Sequence, residues 1–173
     1  MWLFGKKKKK SDEEEWAEVI SYGANNAQDE ESKRYYEALT DREYQANLSI
    51  LYDLITEIKE TYTVINNVSS FSSEAGDRLI DRCADAINLD IELAAKRRYY
   101  QEAEVAYSDP AKTLAMVFEK RGEYENAAAV CVLAIENGFT SDGTNGGMRG
   151  RLARMIKKGN LALTDDYRKI LNL

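Results

Sequence analysis

The segment DGTNGGMRGRLARMIKK, residues 142–158, combines a glycine-rich turn with closely spaced cations. Glycines leave backbone N–H groups accessible at the start of a helix, and such groups together with guanidinium groups bind phosphate. The segment therefore predicts an anion or phosphate site in the loop 142–150, with Arg149, Arg151 and Arg154 as its cations. The alternative is a plain turn followed by a capping helix whose arginines form a solvated face, because neither a Walker-type lysine nor dinucleotide spacing is present.

Catalytic chemistry has few candidate residues in this sequence. The chain has no histidine, so acid–base and metal chemistry would depend on carboxylates, cysteines or lysines alone. The acidic residues are spread along polar helix faces as ordinary surface charge. We therefore expect a protein that is not an enzyme, with no catalytic residues, no metal and no cofactor. Cys83 and Cys131 lie in apolar helical patterns without a nearby second cysteine, which predicts reduced core thiols.

The N-terminal stretch MWLFGKKKKK places apolar residues before a run of lysines. It predicts a basic, disordered arm over residues 1–10, and two roles remain open for it. The arm is either a solubilising tail or an interfacial anchor that contacts an anionic membrane surface. The anchor's contact residues would be Trp2, Leu3, Phe4, Lys6, Lys7, Lys8, Lys9 and Lys10. No apolar run approaches the roughly 18 residues that span a bilayer. We expect a cytoplasmic protein, with membrane association as the open alternative.

Composition predicts one soluble domain over residues 11–173. The chain has 173 residues, of which 44% are hydrophobic and 31% charged, which is typical of a globular protein. Its formal charge is −6 although Lys6 to Lys10 contribute five positive charges, so the rest of the chain carries −11. An acidic body repels nucleic acid, and we expect no nucleic-acid partner.

The rarity of helix-breaking residues predicts an all-α fold with long helices. Gly76 is the only glycine between Ala24 and Arg121, Pro110 is the only proline, and no segment shows a strand pattern. Ser11 is a candidate N-cap for a first helix that presents an apolar face and ends near the asparagines 25 and 26. That face comprises Trp16, Val19 and Ile20.

The middle of the chain predicts three further helices. A short helix is expected from Asp29 to Leu39, and Thr40 with Glu43 indicates a capping box for the third helix. The third helix carries an apolar seam with heptad spacing, which fits either a dimer interface or packing against the fourth helix of the same chain. The seam comprises Tyr44, Leu48, Leu51, Ile55, Ile58, Tyr62 and Ile65.

The fourth helix is predicted to start after Ser72 or Ser73 and to extend toward Tyr107. Its expected inner face comprises Ile80, Cys83, Ala84, Ile87, Ile91 and Ala94. Ser108 and Asp109 before Pro110 mark the next boundary, because aspartate is a good N-cap and proline is favoured in the first turn. A helix pair follows, then a helix over residues 148–158 and a final short helix capped by Thr164.

The segment FEKRGEYENAAAVCVLAIENGF, residues 118–139, predicts a tightly packed helical hairpin. Gly122 is expected to end its first helix in the left-handed conformation, and Tyr124 to pack where the chain re-enters a helix. Three small residues let the two helices approach closely: Ala115, Ala127 and Ala134.

Residues 110–138 resemble a tetratricopeptide repeat (TPR). The matching positions are Leu114, Ala115, Phe118, Gly122, Tyr124, Ala127 and Ala134. The resemblance implies stacked antiparallel helical hairpins in a TPR-like α-α superhelix, with irregular flanking helices and capping helices over 147–173. It further implies a protein-interaction or scaffold module that binds a peptide or partner protein through a groove. The groove of this unit would be lined by Lys112, Met116 and Glu119.

Overall fold

The computed structural model describes residues 11–103 and 105–173, and the described residues form eight helices without a strand. The helices are α1 (Asp12–Asn26), α2 (Glu30–Thr40), α3 (Arg42–Asn67), α4 (Glu74–Tyr100), α5 (Asp109–Arg121), α6 (Tyr124–Glu136), α7 (Gly147–Gly159) and α8 (Asp165–Leu171). A single bridge between Tyr107 and Ser141 is the only β-type pairing in these ranges. The predicted all-α class is confirmed. No helix in this part of the chain is long and apolar enough to cross a membrane.

Local capping sets most helix boundaries. Ser11, Ser73 and Thr164 are N-caps as predicted, and the Ser11 hydroxyl accepts from the backbone N–H of Glu14 at 3.3 Å. The prediction for Thr40 is wrong. Its hydroxyl donates to carbonyls of α2, and the neighbouring Asp41 caps α3 instead.

Two boundaries around the fourth and fifth helices also differ from the prediction. The helix α4 ends at Tyr100, where Gln101 adopts a left-handed conformation with φ 57°, rather than continuing toward Tyr107. The N-cap of α5 is Ser108, and Asp109 is already the first residue of the helix. Serine and aspartate both accept a backbone hydrogen bond at this position, so adjacent candidates compete for it.

The helices pack mainly on their neighbours in sequence. α1 packs on α2, α3 on α4, α4 on α5, α5 on α6, and α6 on α7. The third-helix seam is buried or half-buried in this single chain: Tyr44, Leu51, Ile58 and Ile65 are buried, and Leu48, Ile55 and Tyr62 are partly so. The structure therefore confirms the seam as the surface that packs on α4.

The inner face of α1 differs from the prediction, whereas that of α4 includes most of the predicted residues and is wider. In α1 only Ile20 of the predicted face is half-buried, whereas Trp16 and Val19 are exposed. In α4 the predicted Ala84 is exposed, while Leu79, Ala86 and Leu93 are buried. Since α4 packs on α2, α3 and α5 together, it buries a wider arc than one amphipathic stripe.

The hairpin α5/α6 has the predicted geometry. Gly122 ends α5 with φ 77°, and Ala115, Ala127 and Ala134 are buried between packed helices. Cys83 and Cys131 are free, buried thiols, as predicted. Burial raises the pKa of each thiol to about 12, so both remain protonated at neutral pH.

Candidate functional site

The three residues of the predicted TPR-like groove lie on α5, and both charged members have partners within the chain. The Lys112 ammonium lies 3.2 Å from the Tyr107 hydroxyl and 5.5 Å from the centre of that ring. Met116 is half-buried. Glu119 faces α7, where it contacts cationic side chains. The two charges are therefore engaged before any partner binds.

Glu119 is surrounded by three cations of α7. Its carboxylate oxygens lie 2.7 Å from Lys158, 3.4 Å from Arg151 and 3.6 Å from Arg154. Burial opposes ionisation of this carboxyl, but the Lys158 hydrogen bond and the positive field of all three cations outweigh burial and lower its pKa. Glu119 thus ties α5 to α7 as a carboxylate.

The glycine-rich loop is built around Asp142, whose side chain is fully buried. One carboxylate oxygen accepts from the Thr144 backbone N–H at 3.0 Å and from the Thr144 hydroxyl. The other accepts from Nε of Arg151 at 3.0 Å, with a second Arg151 nitrogen 2.9 Å away. Burial opposes the charge of Asp142, but these hydrogen bonds and the guanidinium lower its pKa overall.

The predicted phosphate cations are therefore in three different environments. Arg151 is buried between Asp142 and Glu119, so it is neither free for phosphate nor part of a solvated face. Arg154 is half-exposed and paired with Glu119. Arg149 is exposed and forms no ion pair among the described residues. We call Glu119, Asp142 and Arg151 the charge cluster: its alternating charges link α5, the glycine-rich loop and α7. The N-terminal candidates, residues 2–4 and 6–10, lie outside the described residues.

A second candidate site, absent from the sequence-based predictions, is a cleft of 450 Å³ between α3 and α4. Buried Ile58 and Leu79 belong to its lining, and Arg82 reaches Glu57 across it at 3.3 Å. Two further lining carboxylates, Asp81 and Asp85, form no ion pair among the described residues.

An apolar stripe on α3 extends this cleft in both directions. Ile50, Leu54, Thr61 and Val64 follow one another at steps of three, four or seven residues, which places them on the side of α3 that carries Glu57. The exposed Val68 follows as the C-cap of α3. Ile50 is 49% exposed and Val64 is 64% exposed. The sequence does show this stripe, because apolar residues recur with heptad-like spacing at the positions just before those of the buried seam. We call the cleft and this stripe the α3/α4 groove.

No protein-family model, curated protein or solved structure matches this chain.

Proposed function

We propose that this protein is a non-catalytic interaction module that binds an amphipathic helix of a partner protein in the α3/α4 groove. The observation that carries the proposal is the continuity of exposed Ile50 and Val64 with the cleft above Ile58 and Leu79. A contiguous apolar surface rimmed by polar residues is typical of a protein-binding site. A groove between two antiparallel helices fits a third helix with apolar residues at i, i+3 or i+4, and i+7.

The opposite side of the same helix pair supports a helical occupant. There α5 packs on both α3 and α4, and Lys59 of α3 lies 2.7 Å from Asp109 of α5. Lys59 and the cleft residue Glu57 are two positions apart on α3 and therefore point to opposite sides. The α3/α4 pair thus accepts one helix on its inner side and presents a comparable groove on its outer side.

Charge favours a basic partner helix. Asp81 and Asp85 lie on the rim and form no ion pair within the described part of the chain, whereas the two arginines of the lining are already paired with glutamates. The chain outside Lys6–Lys10 is also acidic. A second copy of α3 would bring Glu57 and its neighbouring acids toward these carboxylates, and such like-charge contacts oppose association. Lysine or arginine residues that flank the apolar face of a partner helix would instead form ion pairs with Asp81 and Asp85.

We further propose that α5 and α6 form a TPR-like hairpin that serves as scaffold for this module. Gly122 at φ 77° and the buried alanines Ala115, Ala127 and Ala134 support it. The proposal places partner binding on α3 and α4 rather than on Lys112, Met116 and Glu119, because Glu119 is held by three cations of α7.

The test uses a fluorescent peptide that forms a leucine–lysine amphipathic helix, titrated with the full chain by fluorescence anisotropy. A leucine–glutamate peptide of the same length and apolar face is the charge control. We expect saturable binding of the basic peptide and at least about tenfold weaker binding of the acidic one.

Two neutral substitutions, Ile50→Ser and Val64→Ser, locate the binding surface. Both side chains are exposed, so the fold should tolerate them, and loss of apolar contact should weaken binding about tenfold. Tyr52→Ser is the matched control, since Tyr52 is an exposed apolar residue on the other side of α3. Equal losses for all three variants, or none for Ile50 and Val64, would overturn the groove.

A further inference from the structure

The first helix presents aromatic residues where the end of a helical stack is expected to be polar. Terminal helices of such stacks carry a polar outer face for solubility. In α1, however, Trp16 is 66%, Val19 59% and Tyr22 73% exposed. They follow one another at intervals of three and so lie along one side of the helix. Gly23, seven residues after Trp16 and four after Val19, lies on the same side and packs against α2, since an added Cβ there would fall 2.2 Å from the Tyr36 ring. Trp16 and Val19 nevertheless remain exposed.

The charge of α1 has a single sign. Its sequence contains glutamates 13, 14, 15 and 18 and no lysine or arginine. The glutamates 13 and 15 are exposed, and Glu15 borders the aromatic side directly. Tryptophan and tyrosine dominate the energetics of protein interfaces, and the acidic border selects a cationic counterpart. The occupant of this surface is therefore a basic surface with room for aromatic side chains.

The seventh helix carries the complementary surface. Its sequence, GMRGRLARMIKKG, has five cations and no acid. The outer side of α7 presents Arg149, Ala153 and Lys157, all exposed. Arg149 and Lys157 form no ion pair among the described residues. A Cβ added at Gly150 would meet nothing within 4 Å, so this side is shallow and open.

We propose that α1 of one copy of this protein docks on α7 of a second copy, head to tail. Trp16 and Tyr22 would lie over the small residues Gly150 and Ala153, where the absence of large side chains permits close approach. Arg149 and Lys157 would pair with the exposed Glu13 and Glu15 of α1 and contact its aromatic faces. The two surfaces belong to different helices that pack on different neighbours, α1 on α2 and α7 on α6 and α8. The contact is therefore heterologous and adds copies in a row or a closed ring.

This assembly is separate from the α3/α4 groove and is tested separately. The weight-average mass of the full chain is measured by sedimentation equilibrium from about 10 μM to about 1 mM, the range of weak association. We expect the mass to rise with concentration above the 19.6 kDa of one chain, and to fall as salt is raised. A mass that stays at 19.6 kDa throughout would overturn the proposal.

Paired variants then identify the two surfaces. Trp16→Ser with Tyr22→Ser should abolish assembly, and so should Arg149→Glu with Lys157→Glu. Because each variant retains one intact surface, an equal mixture should form dimers and nothing larger. An isologous contact of α1 with α1, or of α7 with α7, would instead let the variant that retains that surface dimerise by itself, and this result would contradict the proposal. The controls alter exposed residues elsewhere and should assemble as the parent does: Tyr52→Ser, and Arg98→Glu with Lys120→Glu.

The lysines at positions 6–10 provide a further discriminating variant. In the sequence they precede α1 and carry five positive charges, which are an alternative source of cations for the glutamates of a second copy. Replacing all five by glutamine should leave assembly intact or strengthen it. Weaker assembly of this variant would place the contact on the lysines and overturn the assignment to α7.

Discussion

At the scale of single residues, Gly122 shows how one backbone conformation depends on one amino acid. Its φ is 77°, and an added Cβ would meet nothing within 4 Å. Substitution therefore creates no clash with other residues and acts through backbone strain alone. An L-residue in the left-handed region costs roughly 1–2 kcal/mol.

We expect Gly122→Ala to lower the free energy of unfolding by about 1 kcal/mol, measured by urea denaturation. Gly150→Ala is the matched control, because Gly150 lies within α7 and its added Cβ is equally unobstructed. Alanine is favoured over glycine inside a helix, so this control should gain up to about 1 kcal/mol. Equal effects of the two substitutions would contradict the left-handed end of α5.

At the scale of helices, the packing of α6 distinguishes alanines that are adjacent in sequence. Ala127 and Ala128 are buried, whereas Ala129 is exposed. The three consecutive alanines in the sequence indicated that Ala127 lies at a helix crossing, but they did not show that Ala128 is equally buried. Burial of two consecutive residues follows from α6 packing on both α5 and α7.

We expect Ala127→Leu to destabilise the protein by about 1–3 kcal/mol, because it forces three additional heavy atoms into a closely packed contact. Ala129→Leu should change stability by less than about 0.5 kcal/mol, since leucine is nearly as good a helix former as alanine. Thermal unfolding monitored by circular dichroism measures both. If Ala129→Leu destabilises the protein more than Ala127→Leu does, Ala127 does not lie at the contact between α5 and α6.

At the scale of the whole molecule, half-buried Glu119 and the buried charges of Asp142 and Arg151 connect α5, the glycine-rich loop and α7. Both carboxyls have a lowered pKa in the folded protein. Their stabilising contribution is therefore fully present above the unfolded pKa values of about 4 and is lost as the pH falls through the lower, folded values.

We expect Arg151→Met to destabilise the protein by about 3 kcal/mol at pH 7, since it leaves Asp142 buried without its guanidinium partner. The loss of stability on acidification should also become smaller, because the Thr144 hydrogen bonds remain but the guanidinium no longer adds to the lowering of the Asp142 pKa. Urea denaturation between about pH 7 and pH 3 measures both effects. Arg149→Met removes the same charge from an exposed position that has no ion pair within residues 11–103 and 105–173, and its stability should match that of the parent. If the free energy of unfolding of Arg151→Met depends on pH as that of the parent does, the charge cluster does not contribute to stability in the way proposed.

The sequence by itself determined the helical class and most helix ends. Ser11, Gly122 and Thr164 act through hydrogen bonds and backbone angles within a few residues, so local sequence specifies them. The two misplaced caps, Asp41 instead of Thr40 and Ser108 instead of Asp109, were competitions between adjacent residues that are both able to cap a helix.

Only the tertiary structure decided which side of each helix is buried and where surfaces remain open. Arg149, Arg151 and Arg154 look alike in the sequence, yet Arg151 alone is buried, because Asp142 and Glu119 converge on it from other elements. Likewise Ile50 and Val64 share an apolar pattern with the buried seam but remain exposed, because no helix of the described chain covers that side of α3. Burial depends on partners that are distant along the chain, and a local pattern does not specify them.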